Sequence, residues 1–390
     1  MPQDKKPKAN NPLETVKEPV QQHEPDVITT TLVNEKQPNK FFHWVKRHKK
    51  AVIIGTVATL IIGGGTAMAF GVFGKQNQET ITKIVKKEPP KPTTMASPLT
   101  GVQVAPEIAE SPVYASIIEN HPDARPQSGL GEAGVVYEAV AEGGITRFLA
   151  LFLDTKPKEI GPIRSIRTYF VSWALEFNAP LIHVGGNIDA LDMIGPNNVK
   201  DINQFYNSGY FYRSRDRYAP HNVYMTQENQ TAVLKDKGWN KAATFTPNAR
   251  KKDAPANPPT NPAITINYSS VGYQAKYAYD ATTNSYLRSM AGTPHIDRNT
   301  NTQIKVKNIV VQYMPTTYGT TRIGEQSTRM ATPGNGKAVV FRDGVAVEGT
   351  WTKSSHTSRT KLLDATGKEI PLNAGNTWYS IVPVGNTVTY

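Results

Sequence analysis

Ile160-Gly-Pro-Ile-Arg-Ser-Ile-Arg-Thr-Tyr-Phe-Val-Ser-Trp-Ala-Leu-Glu-Phe-Asn-Ala-Pro-Leu-Ile-His-Val-Gly-Gly186 holds a turn, a helix, a reversal and a strand in one run. Apolar side chains at Ile166, Phe170, Trp173, Ala174 and Phe177 recur at helical spacing and paint one buried face. Gly161-Pro162 is read as the turn into that helix, because proline fixes φ and suits a helix start. Asn178-Ala-Pro180 ends it, and Leu181-Ile-His-Val184 reads as a short buried strand leaving through Gly185-Gly186. Arg164 and Arg167 are expected in the first turn, where the helix dipole opposes cations. A residue choice that works against local physics marks a place to look for function.

The flanking segments set the frame. The chain has 390 residues, which implies two folded units plus tails. It contains no cysteine, so a disulfide framework, a thiolate-bound metal, a thiol nucleophile and lipid attachment through cysteine are all excluded. The formal charge of +12 invites a nucleic-acid reading. Much of the excess lies in the N-terminal tail and beside an apolar span, where anionic lipid headgroups account for it, so no nucleic acid is expected.

Residues 1–50 read as a disordered cytoplasmic tail, polar and rich in Pro, Lys and Gln. Phe41-Phe-His-Trp44 and Lys46-Arg-His-Lys-Lys50 bring interfacial aromatics and basic residues to the edge of residues 51–73. That uncharged apolar run of about 23 residues is long enough to cross a hydrocarbon core of roughly 30 Å as a transmembrane helix. Ala67-Met-Ala69 resembles a signal-peptide cleavage site, but the long tail and long span favour an uncleaved signal anchor. Gly63, Ala67 and Gly71 form a small-residue face that suits either helix packing or plain lipid exposure. Residues 74–96 form a polar spacer stiffened by Pro89-Pro90 and Pro92. The expected placement is a single-pass protein of the cell membrane, N-terminus inside and globular part outside.

Beyond the spacer the fold class expected is α+β: a mixed α/β first domain over 97–246 and a β-rich second domain over 263–390. Val113–Ile118 reads as a strand, Val135–Ala141 and Ile145–Leu153 as a hairpin around Glu142-Gly-Gly144, and Thr226–Lys237 as a helix capped by Thr226. The breaker-rich segment 247–262 is taken as the linker. After it, apolar and polar residues alternate in Ile264–Tyr268, Ala275–Tyr279, Ile304–Val311 and Ala338–Phe341, with turns at Asp343-Gly344 and Thr366-Gly367.

No phosphate loop, dinucleotide fingerprint, HExxH or GxSxG motif is present, and no cofactor or metal centre is expected. What remains is a cluster of arginines: Arg125, Arg147, Arg164, Arg167, Arg213, Arg215 and Arg217. Converging guanidinium forks bind carboxylates or phosphates, while pairing with Glu138, Glu142 and Glu159 would make the same residues structural. His183 on a strand reads as a satisfied core residue. His221, in Ala219-Pro-His-Asn222 beside Arg217, is better placed for a site. Pro294-His-Ile-Asp297 offers a weak pair of metal ligands. The expected ligand site comprises Arg125, Arg147, Arg164, Ser165, Arg167, Arg217, His221 and Asn222, with Glu138, Glu142 and His221 as weak catalytic candidates.

Several linked motifs carry a resemblance: Pro98-Leu-Thr-Gly, Arg125-Pro-Gln-Ser-Gly-Leu, Ala141-Glu-Gly-Gly-Ile-Thr-Arg-Phe, Ile160-Gly-Pro-Ile-Arg-Ser-Ile-Arg, Ala219-Pro-His-Asn, Pro294-His-Ile-Asp and Leu372-Asn-Ala-Gly-Asn-Thr-Trp378. From about Ser97 to the C-terminus the chain resembles the YerB-like family of bacterial envelope proteins, a domain of unknown function. The resemblance implies two sheets and a helical layer in the first domain, followed by a β-rich module. Many members are lipoproteins anchored through an N-terminal cysteine, which this chain lacks; the span at 51–73 would take that role. The function expected is binding of an anionic or carbohydrate-bearing envelope ligand. A cell-wall-acting hydrolase or transferase is one alternative, and a structural partner of envelope assembly proteins is another.

Overall fold

The computed structural model describes residues 93–390, which fall in one compact unit. Ten strands build the main sheet: β1 (Tyr114–Glu119), β2 (Val135–Val140), β3 (Thr146–Phe152), β4 (Leu181–His183), β5 (Asp201–Asn203), β6 (Asn308–Met314), β7 (Gly334–Arg342), β8 (Val345–Lys353), β9 (Lys361–Leu363) and β10 (Thr377–Pro383). Their order across the sheet is β9-β8-β7-β6-β10-β2-β3-β1-β4-β5. Strand β10 pairs in parallel with β2 on one side and β6 on the other, so residues before and after the expected linker share one sheet.

Successive side chains of a strand point to opposite faces, and β2 shows where each face goes. Tyr137 stacks on Trp173, ring centroids 5.1 Å apart, and on Tyr379 at 4.4 Å. Trp173 belongs to helix α1 (Thr168–Leu175), whose buried Tyr169, Phe170 and Trp173 cover this face. Trimming such a buried tryptophan to alanine costs about 3–5 kcal/mol. Glu138, the next residue, points the other way, to Arg288 in a second sheet. That sheet is built from Ala263–Asn267, Gln274–Asp280 and Ser285–Met290, with short strands at its margins. Both faces of β1, β2 and β10 are therefore covered, which is why these strands are apolar almost throughout instead of alternating.

The expected layers are present, but their origin differs: the second sheet comes from the C-terminal half, and the molecule is mostly β with few helices. The run Ile304–Val311, read as one strand, is two. Lys305–Val306 pairs with Ser285–Met290, and the chain then crosses into the main sheet at Asn308. The hairpins at Glu142-Gly-Gly144 and Asp343-Gly344 form as expected. Helix α2 (Gln227–Asp236) starts at Thr226, whose hydroxyl accepts from the Asn229 amide.

Helix α1 begins later than its apolar spacing suggested. Arg167 is the extended residue before it and Arg164 lies further upstream, so neither occupies the first turn. Gly161-Pro162 sits in an extended segment joined by a cis bond, not at the helix start. Asn178, at φ 50°, closes the other end. The transmembrane helix expected at 51–73 lies outside the described residues. Among the described residues no helix is long and apolar enough to cross a membrane.

Candidate functional site

Strands β1, β4 and β5 run parallel, and the ends of β4 and β5 open onto one groove. In open sheets with parallel strands such ends are where ligands settle, because the departing loops leave a crevice. The segment Ile163–Ile166 is laid between the ends of β1 and β4. Arg164 donates its backbone N–H to the Ile117 carbonyl, and its own carbonyl accepts from Val184 N–H. The loop after β4 has room for this because Gly185 and Gly186 carry no side chain. A Cβ on Gly185, at φ +58°, would stand 2.9 Å from the Phe205 ring, and one on Gly186 would stand 2.5 Å from Ile166. The groove has a volume of about 630 Å³ and is lined by Arg164, Ser165, Gly185, Asp201, Asn203, Phe205, Tyr206 and Arg213 among others.

Its floor is fixed by polar contacts. His183 is fully buried, with Nδ1 2.8 Å from the Gly185 carbonyl and Nε2 2.5 Å from Asp201 Oδ1. It is a satisfied core residue, as expected, and it holds Asp201 at the groove surface. The Asn203 side-chain oxygen accepts from Gly185 N–H and Phe205 N–H, pinning both loops. Arg213 reaches the Asn222 side-chain oxygen at 2.7 Å and has no carboxylate partner among the described residues. Phe205 and Tyr206 are 69% and 83% exposed, unusual for large rings side by side.

Arg164 Nε and His221 Nδ1 each stand 3.0 Å from Glu119 Oε1, at the end of β1. Glu119, which composition and motif do not single out, thus links the groove to the loop that carries His221. The His221 ring stacks on His121 at 4.4 Å. Asn222 works as a staple, donating to the Ser214 and Arg217 carbonyls while accepting from Arg213.

The remaining arginines do not converge on the groove. Arg167 grips Glu142 through two guanidinium nitrogens, with Nε 2.7 Å from Oε1, and Arg147 lies 4.0 Å from the same carboxylate. Burial alone would raise the Glu142 pKa, but Arg167 and then Arg147 outweigh it and hold it below the usual carboxylate range. Burial, with Arg167 close by, pulls the Arg147 guanidinium down to about 10. Arg147 also donates to the Ser165 carbonyl and so supports the groove wall from below. Arg125 is spent on the Asn120 and Gly272 carbonyls, and Arg217 on the Pro126 carbonyl.

The catalytic candidates fare differently from one another. Glu138 is fully buried, 2.6 Å from Arg288 Nη2, and also accepts from the Trp378 indole and the Thr146 hydroxyl. Its carboxylate has no exposure to solvent. Glu142 is clamped by Arg167, and the carboxylate beside His221 is Glu119 rather than Glu138 or Glu142. His295 bonds Gln127 and Asp297 accepts from Gly131 N–H, which leaves that pair structural. Burial first, and then the charge of Arg288, hold His295 well below the usual histidine range and therefore neutral.

Residues 99–240 match the family model described as "Protein of unknown function (DUF3048) N-terminal domain", and residues 264–379 match its C-terminal counterpart. The chain is 31% identical over 294 residues to the "Putative lipoprotein YerB" of Bacillus subtilis (strain 168), covering 74% of this chain and 86% of the relative. The crystal structure of the YerB protein from Bacillus subtilis superposes with a TM-score of 0.68 at 28% identity, covering 76% of this chain and all of that one.

Proposed function

The chain belongs to the YerB-like family, whose two domains are those of DUF3048, and from that premise we propose that it is a membrane-anchored envelope protein whose groove binds an anionic, carbohydrate-bearing ligand outside the cell. The observation that carries this reading is the pairing, in one groove, of Arg164 and Arg213 with the exposed rings of Phe205 and Tyr206. Guanidinium groups receive carboxylate or phosphate in planar, two-pronged geometry. The electron-rich face of an exposed ring attracts the weakly positive C–H face of a sugar. Asp201 and Asn203, both fixed from below, supply acceptors and donors for hydroxyl groups. A ligand bearing both sugar hydroxyls and acid groups uses all three features, and cell-wall polymer is such a ligand.

The relative's name describes that protein as a lipoprotein, which supports extracytoplasmic display for this one. With no cysteine to carry a lipid, the apolar run at 51–73 is the element we assign to anchoring. The test is titration of the detergent-solubilised full-length protein with soluble peptidoglycan fragments, following heat of binding and product release in the same samples. Saturable binding that weakens with salt supports the reading, because the arginine contribution is screened. Absence of saturable binding to any acidic glycan fragment overturns it.

A further inference from the structure

His121, Asp123 and His221 each place a ligand atom within 4.8 Å of the others, on two loops that meet at the rim of the main sheet. His121 Nδ1 and Asp123 Oδ2 are 3.5 Å apart. Two donors bound at about 2.0–2.2 Å to a tetrahedral ion stand roughly 3.4 Å from each other, so this pair is at ligand spacing, and His121 Nδ1 has only to release the Asp123 N–H it now accepts to take an ion. Behind the cluster, Glu119 is 4% exposed and lies 3.0 Å from His221 Nδ1. Its second oxygen, Oε2, has no hydrogen-bond partner, and neither has His221 Nδ1 in a properly aligned geometry. The geometry points to a divalent transition-metal site formed by His121, Asp123 and His221, with Glu119 as the positioning residue that orients the His221 ring.

Two imidazoles and one carboxylate suit zinc, whereas Mg²⁺ and Ca²⁺ require shells of oxygen. Three protein ligands at a partly exposed rim leave a coordination position open to water or to a ligand group. Because Glu119 also meets Arg164, an ion here would sit one residue from the groove. The site stands apart from the glycan reading: it needs no ligand in the groove to be tested.

The experiment uses the full-length, tag-free protein, stripped with chelator and titrated with Zn²⁺ alone against a chromophoric competitor, with Mg²⁺ and Ca²⁺ as comparators. One equivalent is expected to bind and to raise the melting temperature. His121→Ala and His221→Ala should each abolish that equivalent. Asp123→Asn, at a 71% exposed side chain that cannot disturb the core, should weaken it. Glu119→Gln should lower affinity about 10- to 100-fold while retaining the stoichiometry, as losses behind a ligating histidine do. Stoichiometric binding that survives in the His121→Ala/His221→Ala double variant would overturn the site. So would absence of a saturable equivalent in the parent, or equal affinity for Mg²⁺.

Discussion

Arg288 Nη2 lies 2.6 Å from Glu138 Oε2 with both side chains fully buried, and this ion pair bridges the second sheet to the main one. The Arg288 guanidinium also lies 4.5 Å over the Trp378 ring, so strands from both halves of the chain converge on one charge pair. Removing one member leaves an uncompensated charge in the interior. Arg288→Met should therefore destabilise the protein by about 3–5 kcal/mol, measured by denaturant unfolding. The same contact predicts that the parent unfolds in one transition, whereas two separable transitions would mean that residues 99–240 and 264–379 fold independently.

Arg164 and Arg167, three residues apart, should respond in opposite ways. Arg167 holds the half-buried Glu142, so Arg167→Ala should lower stability by about 1–3 kcal/mol without touching the groove. Arg164 shares Glu119 with His221, which remains in place when the arginine is removed. Arg164→Ala should thus melt closer to the parent than Arg167→Ala does. A larger drop for Arg164→Ala in thermal melts would make it the structural residue of the two.

The legibility of these features tracks the distance over which they are encoded. The hairpin around Glu142-Gly-Gly144, the Thr226 cap and the Asp343-Gly344 turn are local, and the sequence shows them in propensity and spacing. The pairing of β10 with β2 joins residues more than 200 positions apart, and nothing in either strand announces its partner. Strand β5 is only Asp201-Ile-Asn203, too short and polar for an alternation pattern, so the groove it helps to form was hidden with it. The arginine cluster was visible as composition, but composition does not say which fork meets Glu142 and which meets solvent. Glu119 could have been noticed as a charged residue closing an apolar strand beside Asn120 and His121.

Asp343 gives a pH signature. Although burial would raise its pKa, Lys251, Asn284 and Asn373 hold it at about 2, against an ordinary value of 3.8. A carboxylate depressed in the folded state stabilises fully above its unfolded pKa, and that stabilisation is lost as pH falls through the folded one. Unfolding midpoints should therefore drop between about pH 4 and pH 2, and Asp343→Asn should flatten that part of the profile. Asparagine accepts the φ of 58° found here, so the backbone is not the cause of any change. An unchanged slope in the variant would remove Asp343 from the acid response.

The segment taken from its composition as a linker should resist protease at its start. Arg250 donates to the Leu99 and Asn373 carbonyls, Lys251 reaches Asp343, and both residues form a parallel bridge to Leu372–Asn373. Limited trypsin digestion should leave the bonds after Arg250 and Lys251 intact, since cleavage needs a backbone free to leave its partners. Early cutting there, read by mass spectrometry, would contradict this packing.

The claim that the groove is a ligand site is tested most directly by comparing the parent, Arg164→Ala and Tyr206→Ala full-length proteins in titrations with one acidic peptidoglycan fragment. Arg164 lines the groove, and Tyr206 is 83% exposed beside it. Tyr206→Ala therefore removes only a surface ring and leaves the core as it was. Arg164→Ala is expected to lose binding and Tyr206→Ala to weaken it at least about tenfold, the scale of a single stacked or charge-assisted contact. Parent-like affinity in both variants would contradict the claim.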